Sequence, residues 1–128
     1  MENTETIPLP RGELALQTIA LPKDTNANGD IFSGWVVTQM DLAGALVAQE
    51  RAKGRVATVS IDKMGFIRPV PVGSTVSCYA EMLETGKSSL RVLVELWIKR
   101  PGDTEQQKVT ESIFVFVALD ANGRTRAI

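Results

Sequence analysis

The sequence predicts an α+β domain in which an antiparallel sheet of about five strands wraps around one long central helix. A run of residues from 31 to 49 has apolar side chains at helical spacing and a single ionisable group. Segments rich in β-branched residues stand before and after that run. The later segments are separated by short connections of hairpin length, and strands joined in this way must be antiparallel.

The predicted central helix covers residues 31–49. Its apolar residues recur at separations of three and four: Phe32, Trp35, Val36, Met40, Ala43, Leu46 and Val47. Asp30 and Ser33 are both suitable N-caps, and Gly54 can end the helix. The run approaches the length of a membrane span, but Asp41 and two glycines in its interior argue against insertion in a bilayer. We therefore expect no membrane association.

Five segments have the composition of strands. They are residues 13–20, 56–67, 75–83, 88–99 and 109–119. One face of the 88–99 segment is apolar from Leu90 to Ile98, and the other still carries Leu93 and Trp97. Because a single helix covers only one face of such a sheet, we expect a second copy of the chain to cover apolar area that would otherwise be exposed. The sequence thus predicts a homo-oligomer.

Length and composition limit the possible classes of protein. The 128 residues suffice for one substantial core, which we place at residues 13–128 after a flexible leader, residues 1–12. The 14 basic and 15 acidic residues nearly balance, which gives no reason to expect nucleic acid or an anionic membrane surface as a partner. The first residues lack the apolar segment of a signal peptide, and the single cysteine, Cys78, cannot form an internal disulfide. We therefore expect a cytoplasmic protein.

The absence of histidine narrows the chemistry that the chain could perform. It excludes catalytic pairs of serine or cysteine with histidine, histidine-bearing zinc sites and a histidine general base. An enzyme with this composition would use a carboxylate for proton transfer. Asp41 is the ionisable residue within the predicted helix, and it is therefore the leading candidate.

Four segments carry a resemblance to a known family. They are LPKDTNANGDIFSGWVVTQMDLAG, GRVATVSIDKMGFIRPVPVG, GKSSLRVLVELW and FVFVALDANGRTR. They resemble the bacterial broad-specificity acyl-CoA thioesterases of the hotdog superfamily. The resemblance implies a hotdog fold, hydrolysis of acyl-CoA to free acid and CoA without a metal or cofactor, and dimers with active sites at the subunit interface that often assemble as trimers of dimers. One departure is Ser33, which stands where the family usually has the first of two glycines.

The resemblance also assigns roles to individual residues. The catalytic carboxylate of the family falls on Asp41, and an asparagine of the same site falls on Asn26. Whether Asp41 is a general base or a nucleophile stays open. A backbone N–H near Gly34, at the helix start, is the candidate for polarising the thioester carbonyl. Residues 34 and 41 are about 10 Å apart along one helix, so we expect these two groups to meet only across a subunit interface.

Further residues are candidates for binding the substrate. Asn28 and Ser33 adjoin the catalytic candidates in sequence. The phosphates of CoA require cations and hydroxyl groups, for which we select Arg68, Lys87, Ser88 and Ser89. The Gly86-Lys87-Ser88 sequence is not a phosphate-binding P-loop, because a strand follows it instead of a helix.

Two alternative functions use the same fold. A non-catalytic module could bind acyl-CoA without cleaving it, and a carboxylate at position 41 argues against this alternative. A hotdog dehydratase would need a histidine, which the chain lacks.

Overall fold

The computed structural model describes residues 8–128, and the architecture is the one that the sequence predicts. One long helix packs against a five-stranded sheet. A short 3₁₀ turn, Pro22–Asp24, lies in the loop between the first strand and the helix. The elements are β1 (Glu13–Ile19), α1 (Ser33–Ala52), β2 (Val56–Ile61), β3 (Thr75–Thr85), β4 (Ser89–Lys99) and β5 (Gln107–Ala118).

All strand pairs are antiparallel, as expected, but one connection differs from the prediction. The strand order is β1-β3-β4-β5-β2, so β2 pairs with β5 and lies at the opposite side of the sheet from β1. The link from β2 to β3 is therefore not a hairpin, which corrects the expectation that all later connections are hairpins. It is a crossing that carries residues 62–74 from one part of the sheet to another. As a result, β1 and β2 are the two edge strands.

The second strand is shorter than predicted, because it ends at Ile61 instead of residue 67. The chain beyond it leaves the ladder but stays bound to β5. Hydroxyl groups of β5 donate to backbone carbonyls of this segment, from Thr110 to Gly65 at 2.7 Å and from Ser112 to Asp62 at 2.8 Å. These side-chain bonds replace part of the regular ladder, which explains why a β-rich composition continues past the end of the strand.

The helix begins and ends later than predicted, at Ser33 and Ala52 instead of residues 31 and 49. Phe32 occupies the N-cap position, so neither Asp30 nor Ser33 caps the helix with its side chain. At the other end, Lys53 adopts a left-handed conformation with φ 55° just before Gly54. Within residues 8–128, no helix is both long and apolar enough to cross a membrane.

The core lies between the helix and the inner face of the sheet. Its largest members come from the central strands and the middle of the helix: Met40, Val76, Leu90, Val92, Val94, Leu96, Phe114 and Phe116. Gly44 permits close contact between the two layers. A Cβ at this position would lie 3.0 Å from the ring of Phe116 and 3.2 Å from Val94. The helix therefore packs tightly against β4 and β5.

The outer face of the sheet is partly covered by the start of the described chain. Residues 1–7 of the predicted leader lie outside the described residues. The end of that leader is bound to the sheet, because the Arg11 guanidinium pairs with Glu81 at 2.9 Å. Gly12 passes close to β3 with φ +86°, and a Cβ there would be 2.3 Å from the Ala80 carbonyl oxygen. Residues 11 and 12 therefore belong to the folded domain.

Candidate active site

Asp41 lies in the middle of the helix, on the side that faces the edge strand β2. Its side chain is half-buried. The Thr58 hydroxyl of β2 donates a hydrogen bond of 2.6 Å to Oδ1 of Asp41. Among the ion pairs within residues 8–128, none includes Asp41. The carboxylate is thus oriented by a neutral hydroxyl and keeps Oδ2 for another partner.

Thr58 is a candidate site residue that the sequence did not indicate. It lies on β2 at the position where the ladder with β5 shifts register, between Thr58 and Ser60. Threonine is common in β-strands, so nothing in the sequence distinguishes Thr58 from other strand residues. Only the pairing of β2 beside the helix identifies it.

The start of the helix offers free backbone donors. Gly34 is the second helical residue, and its amide has no hydrogen-bond acceptor within the described residues. Phe32, at the N-cap, has no side-chain oxygen that could accept from the first turn. A Cβ at Gly34 would meet nothing within 4 Å, so the approach to this amide is open. The positive end of the helix dipole adds to its attraction for a developing oxyanion.

The loop before the helix fixes the orientation of Asn26. Its side-chain oxygen accepts from the backbone N–H of Asn28 at 2.9 Å and of Asp30 at 3.1 Å. Two backbone donors on one side determine which amide atom is oxygen, so the NH₂ group points away from the turn. Gly29 completes the loop with φ +83°. Asn26 is therefore available as a donor, and its oxygen is already occupied.

Asn26 borders a cavity of about 360 Å³ beside the helix start, which we call the helix-start cavity. Ser33 and Arg68 also line it, so the structure brings together three of the predicted site residues. Its apolar wall consists of Ile31, Val36, Phe66, Ile67, Pro69, Val70 and Val109. Asn28 is exposed and does not line the cavity. Its backbone helps to shape the loop, and its role in substrate binding stays a prediction.

Arg68 and the Lys87–Ser89 group lie at opposite ends of the sheet. The Arg68 guanidinium donates to the Lys108 carbonyl at 2.9 Å, and Lys108 is opposite Trp97 near the end of β4. Ser89 begins that strand, and from there to Trp97 is about 27 Å at the usual rise per residue. The structure therefore does not bring the predicted phosphate-binding residues together within one chain.

The Lys87 group instead lies beside the end of the helix. Ser88 accepts a hydrogen bond from the Ala118 N–H, and the next residue, Leu119, donates to the Arg55 carbonyl. Arg126 donates to the carbonyl of Ala52, the last helical residue, at 2.6 Å. Lysine and arginine side chains are thus concentrated at this end of the domain, which we call the basic end: Lys53, Arg55, Lys87 and Arg126.

Asp41 and the helix-start groups do not meet in a single chain. Asp41 does not line the helix-start cavity, and seven residues of helix, about 10 Å, separate it from Gly34. Catalytic contacts are about 3 Å long, so one protomer cannot apply both groups to one carbonyl.

A sheet wrapped around a helix that carries an oriented carboxylate, with open donors at the helix start, defines a hotdog-fold protein with a candidate hydrolytic site. The sequence model of the Thioesterase superfamily matches residues 28–105. The chain belongs to the thioesterase superfamily.

Close relatives cover almost the whole chain. An uncharacterized acyl-CoA thioester hydrolase of Haemophilus influenzae is 50% identical, over 92% of this chain and 79% of the relative. The acyl-CoA thioester hydrolase YciA of Escherichia coli K12 is 46% identical, over 94% and 93%. The crystal structure of the hexameric thioesterase y2039 from Yersinia pestis matches with a TM-score of 0.90 at 49% identity, over 94% of this chain and 98% of the other.

Proposed function

We propose that the chain is an acyl-CoA thioesterase, which hydrolyses acyl-CoA to a carboxylic acid and free CoA. The observation that carries the proposal is the Asp41 carboxylate, which Thr58 orients on a side of the helix that remains uncovered. Relatives with 46–50% identity are acyl-CoA thioester hydrolases by name, which supports the same substrate class here.

Hydrolysis of a thioester needs a nucleophile, a stabilised oxyanion and a leaving thiolate. Asp41 supplies the first, either by accepting a proton from the attacking water or by attacking the carbonyl itself. In either case the C–S bond breaks, and CoA leaves as the thiol after it gains a proton. If Asp41 attacks the carbonyl itself, water must then hydrolyse the resulting mixed anhydride, which releases the carboxylic acid and restores the Asp41 carboxylate. This chemistry uses only water and protein groups, so the proposal includes no metal or cofactor.

The donors at the helix start suit the oxyanion. Gly34 offers its backbone N–H, and Asn26 offers the NH₂ group that points away from its own loop. Both are neutral donors held by the backbone geometry, so they need little reorganisation when negative charge develops on the carbonyl oxygen.

A second copy of the chain would complete the site. Asp41 and Gly34 lie on the same side of the helix, because seven residues return to within about 20° of the starting direction. A two-fold axis near Thr38, midway between them, would place each Asp41 against the partner's Gly34. The antiparallel pairing of two helices about such an axis creates two equivalent sites per dimer.

Uncovered apolar groups on the exposed side of the helix and on β2 support this dimer. Leu42 and Leu46 on the helix are each 50% exposed, and Val59 on β2 is 56% exposed. Apart from Asp41 itself, the helix has no charged residue before Glu50 in its last turn. The free edge of β2 offers backbone groups for pairing with a second β2 strand. The Yersinia pestis thioesterase is hexameric, which supports a hexamer here, and three such dimers would form one.

The basic end suits the phosphates of CoA. It lies about 17 Å from Asp41 along the helix axis, which matches the length of an extended pantetheine arm. Lys87, Ser88 and Ser89 are therefore assigned to the nucleotide part of the substrate. Arg68 is too far from them to contact the same phosphate within one protomer, so the two groups serve one CoA molecule only when they come from different subunits.

The proposal is tested by incubating the purified protein with a panel of acyl-CoA substrates and a thiol-detecting reagent. We expect release of CoA from several chain lengths and no release by the Asp41→Asn variant. Binding of CoA without turnover on any member of the panel would contradict the proposal and favour a non-catalytic binding module. A cytoplasmic location is part of the proposal, and cell fractionation of the native protein tests it.

A further inference from the structure

Glu95 is a buried carboxylate that lies outside the candidate active site. Its side chain is on the outer face of β4 and is 3% exposed. Its Oε1 accepts hydrogen bonds from Trp97 Nε1 at 2.9 Å and from the Arg11 backbone N–H at 3.3 Å. Its Oε2 lies 3.6 Å from Lys108 Nζ. Because an unpaired buried charge is strongly unfavourable, the lysine ammonium is held close to this carboxylate.

Lys108 begins a bulge in β5. Thr110 pairs with Leu96 and Lys108 pairs with Trp97, so Val109 is an extra residue without a partner in β4. The carbonyls of both bulge residues bind the segment that leads to the helix-start cavity. The Lys108 carbonyl accepts from Arg68 Nε at 2.9 Å, and the Val109 carbonyl accepts from the Ile67 N–H at 2.8 Å. Bulges commonly redirect groups in this way next to active sites.

Arg68 is oriented by neutral oxygens alone. Besides the Lys108 carbonyl, it contacts the Gln107 side-chain oxygen at 2.9 Å, and no carboxylate pairs with it among residues 8–128. Two of its five N–H groups are therefore engaged, and three remain for a ligand. A half-buried guanidinium that forms no ion pair among residues 8–128, on the wall of a cavity that Asp30 also lines, is suited to bind an anionic or carbonyl oxygen.

We propose that Glu95 is a positioning residue for substrate binding. Glu95 holds the Lys108 ammonium in place. The bulge that starts at Lys108 in turn orients the Arg68 guanidinium through the Lys108 carbonyl. Arg68 then presents its free N–H groups to the CoA part of the substrate. The inference rests on the proposed function, since the ligand of Arg68 is taken to be an acyl-CoA. Glu95 does not touch the substrate, so its loss weakens binding by releasing the guanidinium from its fixed position.

A double-mutant cycle tests this coupling. The dissociation constant of CoA and the KM of an acyl-CoA are measured for the wild type, Glu95→Gln, Arg68→Ala and the double variant. We expect Glu95→Gln to raise both constants about fivefold with kcat nearly unchanged, and Arg68→Ala to raise them about thirtyfold. In the Arg68→Ala background, Glu95→Gln should have no further effect. Repeating the cycle with a pantetheine thioester shows whether the acceptor is a phosphate or an oxygen of the arm.

Glu111→Gln is the matched control. Glu111 lies opposite Glu95 and also contacts the Lys108 ammonium, but it is exposed, so its ion pair contributes little and its substitution should leave both constants nearly unchanged. If Glu95→Gln fails to fold, Lys108→Met breaks the same contact from the other side. If the two substitutions acted independently, the increase of each constant in the double variant would be the product of the two single increases. That result would overturn the inference. The cycle measured with CoA alone remains interpretable if the protein shows no turnover, so failure of the proposed function would be recognised separately.

Discussion

Thr58 holds Asp41 through a 2.6 Å hydrogen bond that joins the edge strand β2 to the middle of the helix. This contact occupies Oδ1 and fixes the plane of the carboxylate. Oδ2 is then directed to one position, where it can accept a proton from water or approach a carbonyl carbon. The strand and the helix together therefore determine where Oδ2 of Asp41 points.

Substitution of Thr58 tests this orienting role. Thr58→Val keeps the shape of the side chain but removes the donor, and we expect kcat to fall about 10-fold to 100-fold because the carboxylate loses its fixed direction. Thr58→Ser retains a hydroxyl and should keep most of the activity. Steady-state kinetics of the two variants show whether Thr58 acts through its hydroxyl or through its shape. Equal losses in both would indicate that the methyl group matters for packing and that the hydrogen bond does not orient Asp41.

Asp41→Asn should separate catalysis from stability. We expect kcat to fall by about 1000-fold or more, since an amide neither accepts a proton nor attacks a thioester. The asparagine oxygen can still accept from Thr58, and a half-buried charge is removed, so the melting temperature should stay unchanged or rise. Calorimetry and the thiol assay measure the two quantities. Asp62→Asn, at an exposed carboxylate after β2, is the control and should change neither.

The fold was predictable because its main signals are local. Apolar spacing identified the helix, and alternation identified the strands to within a few residues of their observed ends, apart from β2. The pairing of β2 with β5 was not predictable in this way, since it depends on how the 62–74 crossing binds to hydroxyl groups of β5. Such contacts join distant residues whose types are unremarkable in the sequence.

In the candidate site, too, some residues could be identified from the sequence and others only from the fold. Asp41 stood out as the charge within an apolar run, whereas Thr58 is one of many threonines and became visible only beside the helix. Arg68 and Lys87 were grouped by their chemistry, but the length of β4 separates them. Charge identifies candidate ligands, and only the topology determines which candidates can act together.

Asn26→Asp tests the donor role assigned to the amide. An aspartate oxygen can replace Oδ1 as acceptor for the N–H groups of Asn28 and Asp30, so the loop should keep its structure. The NH₂ donor is replaced by a negatively charged oxygen, and kcat should fall about 100-fold because the oxyanion loses a donor and meets repulsion. Kinetics together with circular dichroism measure the effect. An active Asn26→Asp variant would show that the amide does not contact the carbonyl.

Cys78 should make stability fall at high pH. Burial raises the pKa of this thiol from 9.0 to about 12, because the thiolate would be desolvated in the core. Above pH 9 the thiol ionises in the unfolded chain but not in the folded one, so the free energy of unfolding decreases as pH rises towards 12. Cys78→Ala should be less stable at neutral pH but should lose less stability between pH 9 and 11. Melting curves of both proteins across that range provide the comparison, and parallel losses would contradict the prediction.

Mixed dimers test whether two chains share each site. Gly34→Pro removes one N–H in the first helical turn, where proline is tolerated, and Gly34→Ala is the control that keeps the N–H in open space. We expect Gly34→Pro and Asp41→Asn each to be inactive alone. After subunit exchange, half of the dimers are mixed and each contains one intact site, so about a quarter of wild-type activity should return. Persistent inactivity in verified mixed dimers would show that two chains do not share the site.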